Sequence, residues 1–252
     1  MSQQFVQGRS KGLTNASFSY CPGCTHGIIH KLVAESLEEL GMLGNAIGMA
    51  SVGCSVMSYN FFDCDMQQTA HGRACAVATG IKRCLPDRIV FSYQGDGDFA
   101  AIGIGEGIHA AQRAENITVF FVNNAIYGMT GGQMAPTTLI GQKTTTSPQG
   151  RNAARQGLPM KVCEMFATIE GAAYVERVSL HDPRAVMNAK RAIKKALTYQ
   201  RDGRGFTLVE FLSTCPINWG MTPLDALQWT KTTMAQHYPL GVFADRGGTS
   251  NE

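Results

Sequence analysis

Apolar residues fall into two rhythms along this chain. Ile28, Ile29, Leu32, Val33, Leu37 and Leu40 recur at three- and four-residue spacing, which predicts an amphipathic helix with Thr25 as its cap and Gly41 and Gly44 at its end. Short, mostly apolar runs lie at residues 46–52, 88–93, 117–122, 173–178 and 206–212. Runs this short, bounded by turn residues, predict buried strands. Helices are predicted at 74–84, after the opening His71-Gly72-Arg73, and at 159–169. A longer one is predicted to residue 200, with Asp182 as N-cap and Pro183 in its first turn, and a last one at 223–236. Lys190, Arg191, Lys194 and Lys195 predict a solvated outer face on the long helix. This alternation predicts an α/β fold: a doubly wound, mostly parallel sheet.

Residues 1–19 read as extended and lying on a partner, and 59–69 as irregular. The stretch at about 130–158 is rich in Thr, Gly and Gln, and reads as a long functional loop at the active-site edge or a subunit interface. No repeat or linker divides the 252 residues, so 1–252 reads as a single domain.

Composition narrows the function. The net charge is +3 with no basic run, which gives no support to nucleic-acid binding. No apolar stretch approaches the length of a membrane span. The polar start lacks the apolar core of a signal peptide, so a cytoplasmic protein is expected. Eight cysteines in such a chain suggest a metal or redox centre rather than a disulfide scaffold.

Candidate chemistry gathers around residues 95–124. Gly95-Asp96-Gly97-Asp98 follows one predicted strand, and Asn123-Asn124 ends the next. In a parallel sheet both turns open at the carboxyl edge, where ligands bind. A carboxylate and a carboxamide oxygen are hard ligands suited to Mg²⁺, which completes its shell with phosphate oxygens and water. The glycines let backbone approach a phosphate, and the helix start beyond them favours a diphosphate.

These residues resemble the thiamine diphosphate motif, whose Asp and second Asn hold the Mg²⁺ on the cofactor. The continuation from Ala125 through Gln133 is similar to the β subunits of 2-oxoacid:ferredoxin oxidoreductases. The resemblance covers nearly the whole chain. It implies Mg²⁺ on Asp96, Asn124 and the Ile126 carbonyl. It places Val52, Gly53, Cys54, Ser55, His71, Gly95, Gly97, Asp98, Gly128 and Met129 around thiamine diphosphate, with His71 on the diphosphate and Arg73 there or supporting a neighbouring loop. Met57 and Met129 are expected in an apolar pocket. The other five histidines read as structural.

Cys21-Pro22-Gly23-Cys24 alone has the spacing of a zinc site, a redox disulfide or a cluster. Cys54 and Cys215 each follow a predicted strand, so four thiolates can gather near the cofactor, a set that suits zinc as well as [4Fe–4S]. Redox chemistry beside thiamine favours the cluster, and the three segments match the family's cluster-binding segments. Cys64, Cys75, Cys84 and Cys163 read as buried thiols. No ferredoxin-like cysteine run occurs, so electrons are expected to leave through another subunit or a soluble carrier.

The resemblance implies oxidative decarboxylation of a 2-oxoacid, with coenzyme A taking the acyl group and ferredoxin the electrons. The activating Glu is expected on a separate α subunit carrying the pyrimidine-binding domain, with γ and ferredoxin-like δ subunits or domains beside it. The segments 134–138 and 141–148 look like the branched-chain group, acting on 2-oxoisovalerate. Pyruvate or 2-oxoglutarate remain alternatives, as does a non-catalytic iron–sulfur or zinc scaffold. Val56 after Cys54-Ser55, where a distal carboxylate would want a cation, disfavours 2-oxoglutarate.

Overall fold

The apolar runs become the inner strands of a seven-stranded sheet in a computed structural model that describes residues 8–246. The strands are β1 (Ala46–Ala50), β2 (Asp65–Gln68), β3 (Ile89–Gly95), β4 (Thr118–Asn123), β5 (Ala172–Ser179), β6 (Phe206–Leu212) and β7 (Gly241–Asp245). Their order is β2-β1-β3-β4-β6-β5-β7. All pairings are parallel except β5 with β7, which is antiparallel.

Helices cover both faces. They are α1 (His26–Glu39), α2 (Ser58–Phe61), α3 (Ala74–Cys84), α4 (Ile104–Gln112), α5 (Ala153–Gln156), α6 (Val162–Ala167), α7 (Pro183–Arg201), α8 (Pro216–Trp219), α9 (Pro223–Trp229) and α10 (Ala235–His237). Successive strand residues point to opposite faces, and the core divides accordingly. Phe91, Tyr93, Phe120 and Phe211 pack with α1 and α7. Val90, Val119, Phe121 and Leu208 pack with α3, α4 and α6.

Two edge strands were hidden from periodicity. β2 is the polar run Asp-Met-Gln-Gln, mostly exposed, inside the stretch expected to be irregular. β7 follows the last helix and pairs antiparallel on the far edge. The helix expected at 223–236 is interrupted by a π-helical turn, Thr230–Met234. The helix expected at 159–169 is shorter, because Lys161 is its N-cap.

Some surface expectations are corrected. The basic stripe of α7 is partly buried against α1: Lys190 donates to Glu35 and Glu39, and Lys194 to Glu39. Lys195 pairs with Asp245. Thr25 stands at the α1 N-cap without capping it. Residues 1–7 of the segment expected to be extended lie outside the described residues. Its remainder lies on its own chain, with Ser10 on Glu38 and Thr14 on the backbone of Asn60 and Phe61. Among the described residues no helix is long and apolar enough to cross a membrane.

Beneath that segment His30 packs among the rings of Phe18, Phe61, Phe62 and Tyr93. His30 is wholly buried; its Nε2 meets the Tyr20 hydroxyl at 2.7 Å and its Nδ1 has no partner. Burial pushes its pKa well below 6.5, and the nearby His26 adds to the shift. The native state therefore keeps the ring neutral, whereas the unfolded chain protonates it near 6.5. The associated stability is complete above that value and is lost as pH falls below it, by about 1.4 kcal/mol per pH unit for one proton. His30→Phe is expected to flatten the pH dependence of urea unfolding between pH 6 and 5 by about that slope. Identical slopes for the two proteins would refute the assignment.

Candidate active site

The chain runs from β1 outward to β2 and then returns to β3 on the other side of β1. That reversal is a topological switch point, where the loops after adjacent strands diverge and leave a crevice. Val52 to Ser55 follow β1, Gly95 to Asp98 end and follow β3, and Asn124 follows β4. All of them line one cleft of about 140 Å³, together with His71, Ile126, Gly128 and Met129. Gly97 is required there: a Cβ would run into the Tyr127 ring.

Asp96 is 3% exposed. Its Oδ1 accepts from Gly97 N at 2.8 Å, and its Oδ2 from Thr137 Oγ1 at 2.6 Å and Ile126 N at 3.2 Å. Asn124 Oδ1 accepts from the same Ile126 N–H, also at 3.2 Å. One donor shared by two oxygens draws them together. Burial pushes the Asp96 carboxyl up to about 7, against hydrogen bonds that hold it down. A buried carboxylate beside a carboxamide oxygen is a donor set for a hard cation.

The turn bearing Asn124 is built from behind. Ala125 has φ 57°, an unusual value for a residue with a side chain. Asn123 Oδ1 accepts from Ala125 N, and Asn123 Nδ2 donates to Glu210 Oε1 at 2.7 Å. The long loop closes over the turn. Its buried Arg151 donates to the carbonyls of Pro136, Thr138, Gly157 and Leu158, among others. Thr138 and Gln142 donate to the Ala125 carbonyl. The loop thus holds Thr137 on Asp96 and lies at the site edge, as expected.

Of the four cysteines Cys54 lines the cleft, and Cys21, Cys24 and Cys215 lie near it. Cys54 and Cys215 sulfurs each lie 3.5 Å from the point that a Cβ on Gly128 would occupy. Burial pushes Cys24 up to about 12 and Cys54 up to about 11, and repulsion from the other thiolates of the quartet adds to both. Two hydroxyls stitch the segments together: Thr25 Oγ1 meets Ser213 Oγ at 2.7 Å, and Thr214 Oγ1 donates to Gly23 O at 2.6 Å. Among the described residues no group of three or more His, Cys, Asp or Glu is placed to hold a metal ion. Tetrahedral zinc would draw sulfurs to about 3.8 Å apart.

Comparison with known proteins decides the family. Residues 51–211 match the family described as thiamine pyrophosphate enzyme, C-terminal TPP binding domain. The chain is 49% identical over 238 residues to ketoisovalerate oxidoreductase subunit VorA of Methanothermobacter thermautotrophicus, covering 94% of this chain and 50% of that protein. It is 38% identical over 219 residues to 2-oxoglutarate synthase subunit KorB of Methanocaldococcus jannaschii, covering 84% and 76%. A solved 2-oxoglutarate:ferredoxin oxidoreductase from Magnetococcus marinus superposes with TM-score 0.77 at 26% identity, covering 98% of this chain and 86% of that one. The chain belongs to the thiamine diphosphate-dependent 2-oxoacid:ferredoxin oxidoreductase β subunits. It spans about half the length of the first curated relatives it matches.

Within this β subunit, the residues expected around the cofactor all line the cleft, but not in one role. Asp98 spends its oxygens on scaffolding. It accepts from Ser51 Oγ at 2.5 Å, Gln94 Nε2 at 2.5 Å, His71 Nδ1 at 2.5 Å and Gly72 N at 2.7 Å. It therefore orients His71 and leaves Nε2 as the ring nitrogen free for the cleft. Arg73 pairs with Glu106 and so braces the helix after the glycine turn. Met129 lines the cleft, whereas Met57 instead accepts from Ser19 Oγ.

Other residues were not anticipated. His26, Val122, Tyr127 and Thr130 line the cleft, and His26 Nδ1 meets Tyr93 OH at 2.7 Å. Its position two residues after the Cys-x-x-Cys was the only signal. Of the other cysteines, Cys75 and Cys163 are buried and Cys64 half-buried, but Cys84 is exposed at the end of α3. Among the described residues, no glutamate lines the cleft. Glu35, Glu39 and Glu106 are engaged in ion pairs elsewhere.

Proposed function

We propose that this β subunit binds thiamine diphosphate, Mg²⁺ and one [4Fe–4S] cluster, and serves the oxidative decarboxylation of a branched-chain 2-oxoacid, 2-oxoisovalerate, to its acyl-CoA. The observation that carries this reading is the convergence of Asp96, Asn124 and the Cys54–Cys215 pair on one cleft at the switch point.

Asp96, Asn124 and the Ile126 carbonyl fit Mg²⁺, being hard oxygens on two adjacent turns that the Ile126 N–H ties together. Cys21, Cys24, Cys54 and Cys215 fit a cluster by their chemistry, being four thiols near enough to one another to repel once ionised. When bound, thiamine diphosphate supplies the electron sink for decarboxylation and the cluster supplies one-electron acceptance. His71, oriented by Asp98, presents its free ring nitrogen to a diphosphate. Gly53, with φ 108°, and Gly97 give backbone access to the ligand.

The cleft is smaller than the several hundred Å³ typical of pockets that enclose a ligand of this size. It fits half of a shared site, completed by an α subunit that brings the activating glutamate. Ferredoxin, coenzyme A, and γ and δ components complete the assembly, in the reducing cytoplasm that keeps the thiols free. Higher identity to the ketoisovalerate subunit than to the 2-oxoglutarate subunits supports the branched-chain substrate.

The test is cofactor content of the anaerobically purified complex with its co-purifying subunits. The expected result is about four iron and four sulfide per chain together with thiamine diphosphate, and highest kcat/KM on 2-oxoisovalerate. Stoichiometric zinc without iron would overturn the electron-transfer role. Preference for 2-oxoglutarate or pyruvate would overturn the substrate.

A further inference from the structure

Cys215 leads directly into α8, whose third residue is Asn218. Asn218 Nδ2 lies 3.2 Å from Cys215 Sγ and 2.9 Å from the Gly128 carbonyl oxygen. A carbonyl can only accept, so the Gly128 contact fixes which way round the amide lies. Its two hydrogens serve the two acceptors, and its Oδ1 is turned toward Gly132. Among the described residues, Asn218 is the one side chain that donates to any of the four sulfurs. The donation is held from both ends: the helix fixes the backbone through Trp219 N to Cys215 O at 3.0 Å, and Gly128 fixes the amide.

We propose that Asn218 tunes the reduction potential of the cluster that Cys215 ligates, through this N–H···S hydrogen bond, while tying that ligand to the cofactor cradle at Gly128. This rests on the reading of Cys21, Cys24, Cys54 and Cys215 as cluster ligands. A donor on a ligand sulfur draws charge from it and stabilises the added electron of the reduced cluster. The amide therefore raises the potential, which favours electron acceptance from the neighbouring site. The bond to Gly128 gives Asn218 a second task, since Gly128 stands between Cys54, Cys215 and Asn124. A change of conformation in the cradle would be felt at the sulfur through one side chain.

The experiment compares the intact complex carrying Asn218→Leu, which keeps the volume and removes the donor, with Asn218→Ser, whose hydroxyl is too short to reach both acceptors. Iron and sulfide are counted first, and midpoint potentials are then measured by EPR-monitored redox titration. The expected result is full iron content with one cluster component shifted to lower potential in both variants. The shift corresponds to a three- to ten-fold change in its one-electron equilibrium, ten-fold being about 59 mV. Full iron content with unchanged potentials would overturn the proposal. Loss of iron from both variants, with the wild type loaded, would also overturn it and make Asn218 a requirement for assembly. A wild-type complex without iron in this subunit would instead bring down the cluster reading on which the proposal stands.

Discussion

Asp96→Asn is expected to leave a folded protein that no longer takes up thiamine diphosphate with Mg²⁺. The carboxylate is buried, and burial pushes it up to about 7; holding it ionised is a cost that the fold alone does not need. Asparagine keeps the shape and one acceptor for Thr137 and Ile126. Its amide then meets the Gly97 N–H, donor against donor, at a cost of about 1–3 kcal/mol. That loss is offset by relief of the buried charge, so the thermal midpoint should move by only a few degrees. Cation binding should suffer far more. Disturbing a residue that merely supports a metal ligand already weakens a site ~10–100-fold, and removing the charged ligand itself should exceed ~100-fold. Calorimetric titration of the complex with thiamine diphosphate, with and without Mg²⁺, measures this. An unchanged Mg²⁺ dependence would mean that Asp96 is not the ligand.

The second large effect is on stability. Arg177 is wholly buried and donates to Glu210, also wholly buried, at 2.9 Å and to the half-buried Glu164 at 2.6 Å. Its guanidinium lies 4.8 Å from the Phe243 ring centroid and 5.2 Å from that of Tyr238. Arg177→Leu would strand the Glu210 carboxylate, and removing one partner of a buried pair costs about 3–5 kcal/mol. At about 2–4 °C per kcal/mol for a chain of this size, the unfolding midpoint should drop by roughly 6–20 °C. The double variant Arg177→Leu with Glu210→Leu should recover at least half of the loss, because no charge is then left alone. Cofactor affinity should not recover with it. Asn123 would have lost the acceptor that fixes its amide, and with it the turn that aims Asn124. A double variant restored in both stability and affinity would separate this network from the site.

What could be read from the chain depended on how local the cause was. The inner strands were legible because burial on both faces leaves a mostly apolar run, as at Phe206–Leu212, where all seven residues are buried. The Asp182 cap was legible because Asp-Pro acts within one turn; its side chain accepts from Ala185 N. Asp96 and Asn124 were legible as a pair because the βαβ unit places both at one edge. Edge strands such as β2 carry no such pattern, since their residues face solvent. The pairing of Lys190 with Glu35 joins helices 155 residues apart in sequence, and no local rule contains it. The scaffold role of Asp98 was hidden for the same reason, because Ser51 and His71 reach it from other loops.

The sulfur quartet has a history written into its connectivity. The hydrogen bond from Thr214 to Gly23 closes a separation of 191 residues, and the one from Thr25 to Ser213 closes 188. A growing chain that has not yet reached Cys215 presents only Cys21, Cys24 and Cys54 of the quartet. On the cluster reading proposed above, the four sulfurs can gather only after the segment bearing Cys215 has been made and has met the one bearing Cys21 and Cys24. A fragment ending before Cys215 lacks one of the four sulfurs, so a centre held by all four would report that these two segments had met.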